Sequence, residues 1–340
     1  MKGRHLLVCV LILTLLCRLG AAECAPAPRC SFYITHYIGH VGRETSVTLL
    51  CHTPGRVAAD QNTFELRNQR GEVLAQKRWS NPASRLTITF TVPDSALGGN
   101  ELSLWWNGVD VTAEHAWAAY SDLSDRRVTQ LAPRTPAVAL TIVCGGGSAQ
   151  QVEEILAVLA QHGVKCTFFL GGGWLEGHVE EAQRILAAGH EIGSHGYQHV
   201  HMPQMDSYRG MRGVITAMNR RCEELLGVRP RLFRAPYSDT DQKVTALVRA
   251  EGMEEIQWSV DSMDWSDKYR RAPQRIVQRV TGESVTPGAV IQFHLNGYNT
   301  AQVLQEAIPC YLGRGWQVVT VGELLALSGR EVPPLPAVAP

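Results

Sequence analysis

Two rhythms of apolar and polar positions divide the chain. From residue 31 to about 122 apolar and polar positions alternate in short runs, SVTLLCH, TFELRNQ, EVLAQKRW, RLTITFTV and ELSLWWNG, separated by Gly, Pro and Asn. A period of two sends successive side chains to opposite faces of an extended backbone, so each run predicts a strand. No helical pattern interrupts them. Residues 24–122 are therefore expected to form a small all-β sandwich, immunoglobulin-like in general architecture. Trp105 and Trp106 could offer stacking faces to a sugar, although the expected place for both is the interior.

Residues 123–136, within SDLSDRRVTQLAPRTP, are polar and then proline-containing and read as a linker. Beyond them strands and helices alternate. AVALTIV predicts a strand, and SAQQVEEILAVLAQHG a helix with Val152, Ile155, Leu156 and Leu159 on one face and Gly163 as its stop. The same reading gives strands at KCTFFL, HEIGSH, RLFRAPY, EIQWSVD, AVIQFHL and QVVTV, with helices between them. Such alternation implies a parallel sheet covered by helices, here a distorted (β/α) barrel of about seven strands over residues 137–328. In barrels of this kind chemistry gathers where the strands end and the connecting loops begin. The proline-rich end, residues 329–340, is expected to be a disordered tail.

Composition narrows the class without deciding it. Basic and acidic residues balance at 32 each, which gives no support for nucleic acid or an anionic membrane as partner. Residues 1–22 read as an export signal: Lys2 and Arg4, an apolar run from Leu6 to Leu16, then Gly20-Ala21-Ala22. That run falls short of the roughly 20 residues a membrane span needs, so no stable span is expected after cleavage, and the mature chain is read as secreted or held in the cell envelope. Without Cys9 and Cys17 the cysteines are Cys24, Cys30, Cys51, Cys144, Cys166, Cys222 and Cys310, an odd number. Cys144 closes one strand and Cys166 opens the next, so parallel pairing holds the two apart.

A census of strand ends finds the polar residues at one rim. The strand bodies are apolar, yet they end in His195 with His199 four residues on, in Arg234 and Tyr237, in Asp261, Asp264 and Trp265, and in His294. Two imidazoles at the spacing of His195 and His199 suit a zinc ion, and a catalytic ion needs a third ligand and an open position for water. The first strand is different: it ends in Val143 and Cys144, before Gly145-Gly146-Gly147.

These motifs, in this order, resemble the polysaccharide deacetylase (NodB-homology) family of carbohydrate esterases. HGYQH matches its His-Ser/Thr-x-x-His motif, RAPY its Arg-x-Pro-Tyr, DSMDW its Asp-x-x-Asp-Trp and QFH its Leu-x-His; TIVCGG stands where members carry TFDDGP. The resemblance covers residues 135 to 328. It implies metal-dependent removal of acetyl groups from an N-acetylated glycan such as peptidoglycan or chitin, with zinc or another divalent ion activating water. It assigns His195 and His199 to the metal, His294 to the acid, and Asp264 to the carboxylate behind that acid. Tyr237 would offer its backbone N–H to the oxyanion, Arg234 would orient the base, and Trp265 would wall the acetyl pocket.

By the same alignment Val143 stands at the base, Cys144 at the metal aspartate and Gln292 at the pocket leucine. Cys144 is one of the few replacements that can still bind zinc, so a set formed by Cys144, His195 and His199 is expected if a metal is held. Asp239, Asp241 and Asp261 are the alternative bases within reach of the rim. Two readings remain: a deacetylase with an altered first motif, or a non-catalytic pseudoenzyme that binds glycan or a protein partner through the same groove.

Overall fold

A computed structural model describes residues 30–34, 38–39, 44–51, 63–68, 71–78, 85–91, 99–114, 116–120, 127–205 and 208–332. The expected signal segment, residues 123–126 of the expected linker and residues 333–340 of the expected tail lie outside them.

The period-two runs form strands. They are β1 (Cys30–Ile34), β2 (Ile38–Gly39), β3 (Glu44–Cys51), β4 (Thr63–Arg67), β5 (Val73–Arg78), β6 (Arg85–Thr91), β7 (Gly99–Trp106), β8 (Val109–Asp110), β9 (Thr112–Glu114) and β10 (Ala116–Tyr120). One sheet has the order β6-β3-β1-β9; the other runs β2-β10-β7-β4-β5 with β8 beside β7. The register of β1 with β3 sets Cys30 opposite Cys51. Phe64 and Leu66 of β4, and Ile88 and Phe90 of β6, are buried at alternate positions, as strands with one covered face require. Asn107 and Gly108, both at positive φ, join β7 to β8 in the turn that suits a twisted hairpin. The two tryptophans part company. Trp106 is 7% exposed, whereas Trp105 is half-buried beneath the Arg67 guanidinium, 4.4 Å from the ring centre, with Nε1 donating to Ser103 Oγ at 2.8 Å. The expectation that both pack inside holds for one of them, because neighbours on a strand face opposite ways.

From residue 137 the chain builds the parallel sheet. Its elements are β11 (Ala137–Cys144), α1 (Ala149–Gln161), β12 (Thr167–Leu170), α2 (Gly172–Gly177), α3 (Val179–Ala187), β13 (Glu191–Ser194), α4 (Tyr208–Leu226), β14 (Leu232–Phe233), α5 (Gln242–Ala250), β15 (Glu254–Glu255), β16 (Val260–Asp261), α6 (Pro273–Thr281), β17 (Val290–His294), α7 (Thr300–Gly313), β18 (Gln317–Val319) and α8 (Val321–Leu327). The sheet order is β15-β14-β13-β12-β11-β17-β16, with β18 against the start of β11. This is a curled, incompletely closed barrel, the distorted form expected.

The central strand β11 is buried along its whole length, which explains its unbroken apolar reading. Val138, Leu140, Ile142 and Cys144 join Val152, Ile155 and Leu159 of α1 in the layer between sheet and helices. Ala137 and Ala139 face the other way, with Phe169 and Val290, above Val321, Leu324 and Leu325 of α8. Burial of this kind stabilises by about 25 cal/mol for each Å² of apolar surface removed from water.

The barrel opens at the phrase EIQWSVD, read as a single strand. It breaks into β15 and β16, which lie at opposite edges of the sheet. The segment read as linker occupies the gap. Val128, buried, donates its N–H to the Glu255 carbonyl and accepts from the Gln257 N–H, and Leu131 N–H donates to the Gly288 carbonyl. A Cβ on Gly288 would overlap the Leu131 carbonyl, so only glycine allows this approach.

Candidate active-site cleft

Residues of β11 and β17 share a face where the strands end, because Thr141 pairs with Gln292 and Val143 with His294. Arg234, at the end of β14, reaches into this face. Its guanidinium is fully buried, and its bonds go to neutral acceptors: NH1 to Thr141 Oγ1 at 2.8 Å, Nε to the Ile256 carbonyl and NH2 to the Gln257 carbonyl, each at 3.1 Å. Those carbonyls are available because the chain leaves the sheet at the barrel's opening. The guanidinium also lies over the Phe169 ring, 4.1 Å from its centre. Burial pulls the Arg234 pKa down to about 9, opposed by the charge of Asp261.

His195 follows β13 and is 5% exposed. Its Nδ1 lies 2.9 Å from the Arg234 carbonyl, so an N–H there donates and leaves Nε2 for the cleft. Burial, then the neighbouring His199, lowers its pKa to about 3. Gly196, at positive φ, turns the chain between the two histidines, and the His195 and His199 ring centres stand 5.2 Å apart. Burial, then His201 and His294, lowers the pKa of His199. Tyr237, 57% exposed, meets the His199 ring edge-on at 4.2 Å and stacks on His201 at 4.1 Å. His201 Nδ1 in turn lies 2.8 Å from Asp239 Oδ2, an ion-pair geometry when the imidazole is protonated.

On the opposite side, Asp264 accepts from the His294 backbone N–H at 2.9 Å, pairs with His294 Nδ1 at 2.8 Å, and accepts from Thr300 Oγ1 at 2.8 Å. The carboxylate is fully buried and Gly297 packs on it; a Cβ at Gly297 would overlap Oδ2. His294 thus has a fixed orientation with Nε2 free of this pair. Trp265, 54% exposed, stands beside Asp261 on the rim, and buried Gln292 lies on the floor.

The sequence brings His195, His199, Arg234, Tyr237, Asp264, Trp265, Gln292 and His294 to the strand ends, as the barrel rule requires. It does not bring Cys144 to the imidazoles. Alternation along β11 turns the Cys144 side chain into the apolar layer under α1, where burial pushes its thiol pKa far up. A neutral thiol among aliphatic side chains is no zinc ligand, since the thiolate is the binding form. Among the described residues no three His, Cys, Asp or Glu side chains form a group able to hold an ion. The divalent metal implied by the resemblance therefore does not fit this donor set, and the expected Cys144-His195-His199 site is not assembled. Cys166, across the β11–β12 register, is likewise a free buried thiol.

Sequence reasoning missed Thr141, Thr300 and Gly297. The first replaces an acceptor for Arg234; the other two build the seat of Asp264. Their only signal was position, a hydroxyl inside an apolar strand and a small residue three positions past His294.

Comparison with known proteins agrees with this geometry. Residues 132–256 match the family model described as polysaccharide deacetylase. An uncharacterized protein, YlxY, of Bacillus subtilis is 32% identical over 57% of this chain and 58% of its own length, so the chain spans less than two thirds of that relative. A chitooligosaccharide deacetylase of Bradyrhizobium is 30% identical over 50% of this chain and 83% of its own length. Among solved structures, wild-type BA3943 of Bacillus anthracis, described as a CE4 family pseudoenzyme, superposes with a TM-score of 0.56 at 29% identity, covering 66% of this chain and 75% of that one. A mutant of it is described as having restored enzymatic activity. No helix of the described residues is long and apolar enough to cross a membrane. The motifs, the barrel and the relatives together establish that the chain belongs to the polysaccharide deacetylase family.

Proposed function

We propose that this chain is a non-hydrolysing member of its family that binds an N-acetylated glycan of the cell envelope in the cleft. One observation carries the reading: the strand end that would hold a base and a third metal ligand holds Val143 and a Cys144 buried under α1, away from the cleft. A valine accepts no proton, and a missing general base typically costs about 10²–10⁴ in rate. The cleft still offers what binding needs, since Trp265 and Tyr237 present exposed rings on either side of it and His294 presents a nitrogen. The basic and apolar start of the chain supports an extracytoplasmic location. His195 and His199 are read here as cleft-lining imidazoles, without zinc.

The test is acetate release from chitooligosaccharide and peptidoglycan, with zinc or cobalt added. The wild-type chain is expected to stay at the buffer background. Val143→Asp supplies a carboxylate on the cleft face beside Arg234, where a base can act, and this variant is expected to release acetate. Wild-type turnover that His294→Ala abolishes would overturn the reading in favour of a working deacetylase.

A further inference from the structure

Beyond Trp265 the surface changes character. Residues 266–279, SDKYRRAPQRIVQR, carry Lys268, Arg270, Arg271, Arg275 and Arg279 against the single acid Asp267, in a chain whose charges balance overall. All five cationic side chains are exposed. Ile276 and Val280 bury the inner face of α6, which turns Arg275 and Arg279 to solvent.

None of the five pairs with a carboxylate among the described residues. Asp267 is taken by the Tyr298 hydroxyl at 2.7 Å. Arg270 lies 5.1 Å from the centre of the Tyr298 ring, Lys268 lies 5.3 Å from that of Tyr269, and Arg279 Nε donates to the Asp261 carbonyl. Elsewhere on this barrel solvent-accessible arginines do have acidic partners: exposed Arg184 with Glu153 and Glu181, half-buried Arg221 with Glu176 and Glu224, and half-buried Arg229 with Glu223. Like charges crowded without counter-charges repel one another, and an anionic ligand relieves that repulsion.

The patch adjoins the cleft. Its first cation stands three residues after Trp265, and two bonds tie the segment to the His294 loop: Tyr298 N–H to the Asp264 carbonyl at 2.7 Å and Asn299 Nδ2 to the Arg270 carbonyl at 3.0 Å. We infer that Lys268, Arg270, Arg271 and Arg275 form a carboxylate-binding surface continuous with the cleft. The ligand is then a glycan strand bearing acidic groups beside its acetamido sugars, in preference to a neutral chitin-like strand. Guanidinium forks match carboxylates in bidentate geometry, and the exposed Trp265 ring beside them suits a sugar face. The inference rests on the glycan-binding reading above.

It is tested by titrating the full chain with chitohexaose and with a muramic-acid-containing oligosaccharide of equal length that keeps its lactyl carboxylates. At low salt the acidic strand is expected to bind at least about ten-fold tighter, and that advantage should shrink as salt rises. Arg270→Gln with Arg271→Gln and Arg275→Gln should erase the advantage and leave chitohexaose affinity unchanged. Equal affinity for both strands, an advantage that survives in the triple variant, or equally tight arginine-dependent capture by vesicles of anionic phospholipid would overturn the inference while leaving the cleft reading intact. Binding of neither oligosaccharide would overturn both. Circular dichroism of the triple variant checks that these exposed substitutions leave the fold unchanged.

Discussion

On the β16–β17 side of the rim, the buried carboxylate of Asp264 accepts three hydrogen bonds, two from His294 and one from Thr300. On the β11–β14 side, the buried guanidinium of Arg234 meets a hydroxyl and two carbonyls. One ion keeps a partner of complementary role; the other has neutral substitutes. The difference separates motif residues that the fold itself needs from those that only the chemistry would need. Asp264 seats the His294 backbone and the start of α7, so the loop needs it even where no proton is transferred. A base carboxylate at 143 would have served Arg234 and the reaction, and once Thr141, Ile256 and Gln257 satisfy Arg234, the fold no longer needs it. Retention of His294 and Asp264 is thus weak support for catalysis, and loss of the first-strand carboxylates is strong support against it.

The largest effect that bears on this contrast is removal of Asp264. Asp264→Ala leaves the His294 backbone N–H and Nδ1 without their partner at a fully buried site, while the Thr300 hydroxyl can still donate to the His294 carbonyl. Each buried donor left without an acceptor costs about 1–3 kcal/mol, and here two are lost together. Urea unfolding should register the loss even without any substrate. If stability is unchanged, the structural account of its retention fails.

Acid should strike the other side of the rim. His195, held to about 3 on the rim, and His190, lowered to about 4 chiefly by burial at the opposite end of β13, are neutral in the folded chain. Their unfolded values lie near 6.5, so between about pH 6.5 and each folded value the unfolded chain binds the extra proton. Stability is then flat above about pH 6.5 and falls on acidification by up to about 1.4 kcal/mol per pH unit for each group. Unfolding midpoints measured from pH 7.5 to 4.5 should show this decline, and His195→Asn should flatten part of it. A decline of undiminished slope in that variant would remove His195 from the account.

Much of the barrel was legible because periodicity reports burial. The eight buried residues of β11 read as an apolar run, and Ser148 and Gln151 cap α1 where the helical period begins. The rim was legible because strand ends are fixed by topology, so His195, Arg234, Asp264 and His294 could be placed together without coordinates. What escaped was direction. Cys144 was assigned by alignment to the cleft, but its side-chain parity on β11 matches Leu140 and Ile142, which face the helices. EIQWSVD read as one strand since no breaker interrupts it; the gap is made by Val128, more than a hundred residues earlier, and such pairing leaves no local trace.

A smaller substitution separates the two sides directly. Thr141→Val removes the acceptor of Arg234 NH1 while keeping the shape, and leaving a buried donor unsatisfied costs about 1–3 kcal/mol. The same change combined with Val143→Asp should recover most of that loss, because the new carboxylate lies two residues along the same face. Recovery measured by urea unfolding would show that the site retains room for its missing partner. A double variant no more stable than Thr141→Val would mean that the guanidinium is committed to its neutral acceptors.

The smallest expected effect lies in the loop after Arg234. Tyr237 and Ser238 both have φ of +56°, the left-handed region that L-residues enter at a cost. At Ser238 the backbone N–H donates to the Ala235 carbonyl, a bond that glycine would keep. Relief of left-handed strain is worth roughly 1 kcal/mol, from which the extra freedom of glycine in the unfolded chain subtracts part. Ser238→Gly should therefore raise the thermal midpoint by a few degrees at most, about 2–4 °C for a chain of moderate size. Asp264→Ala should lower the midpoint far more, so the pair of measurements ranks the two sides. A midpoint that falls in Ser238→Gly would mean that the serine side chain, rather than backbone strain, governs this turn.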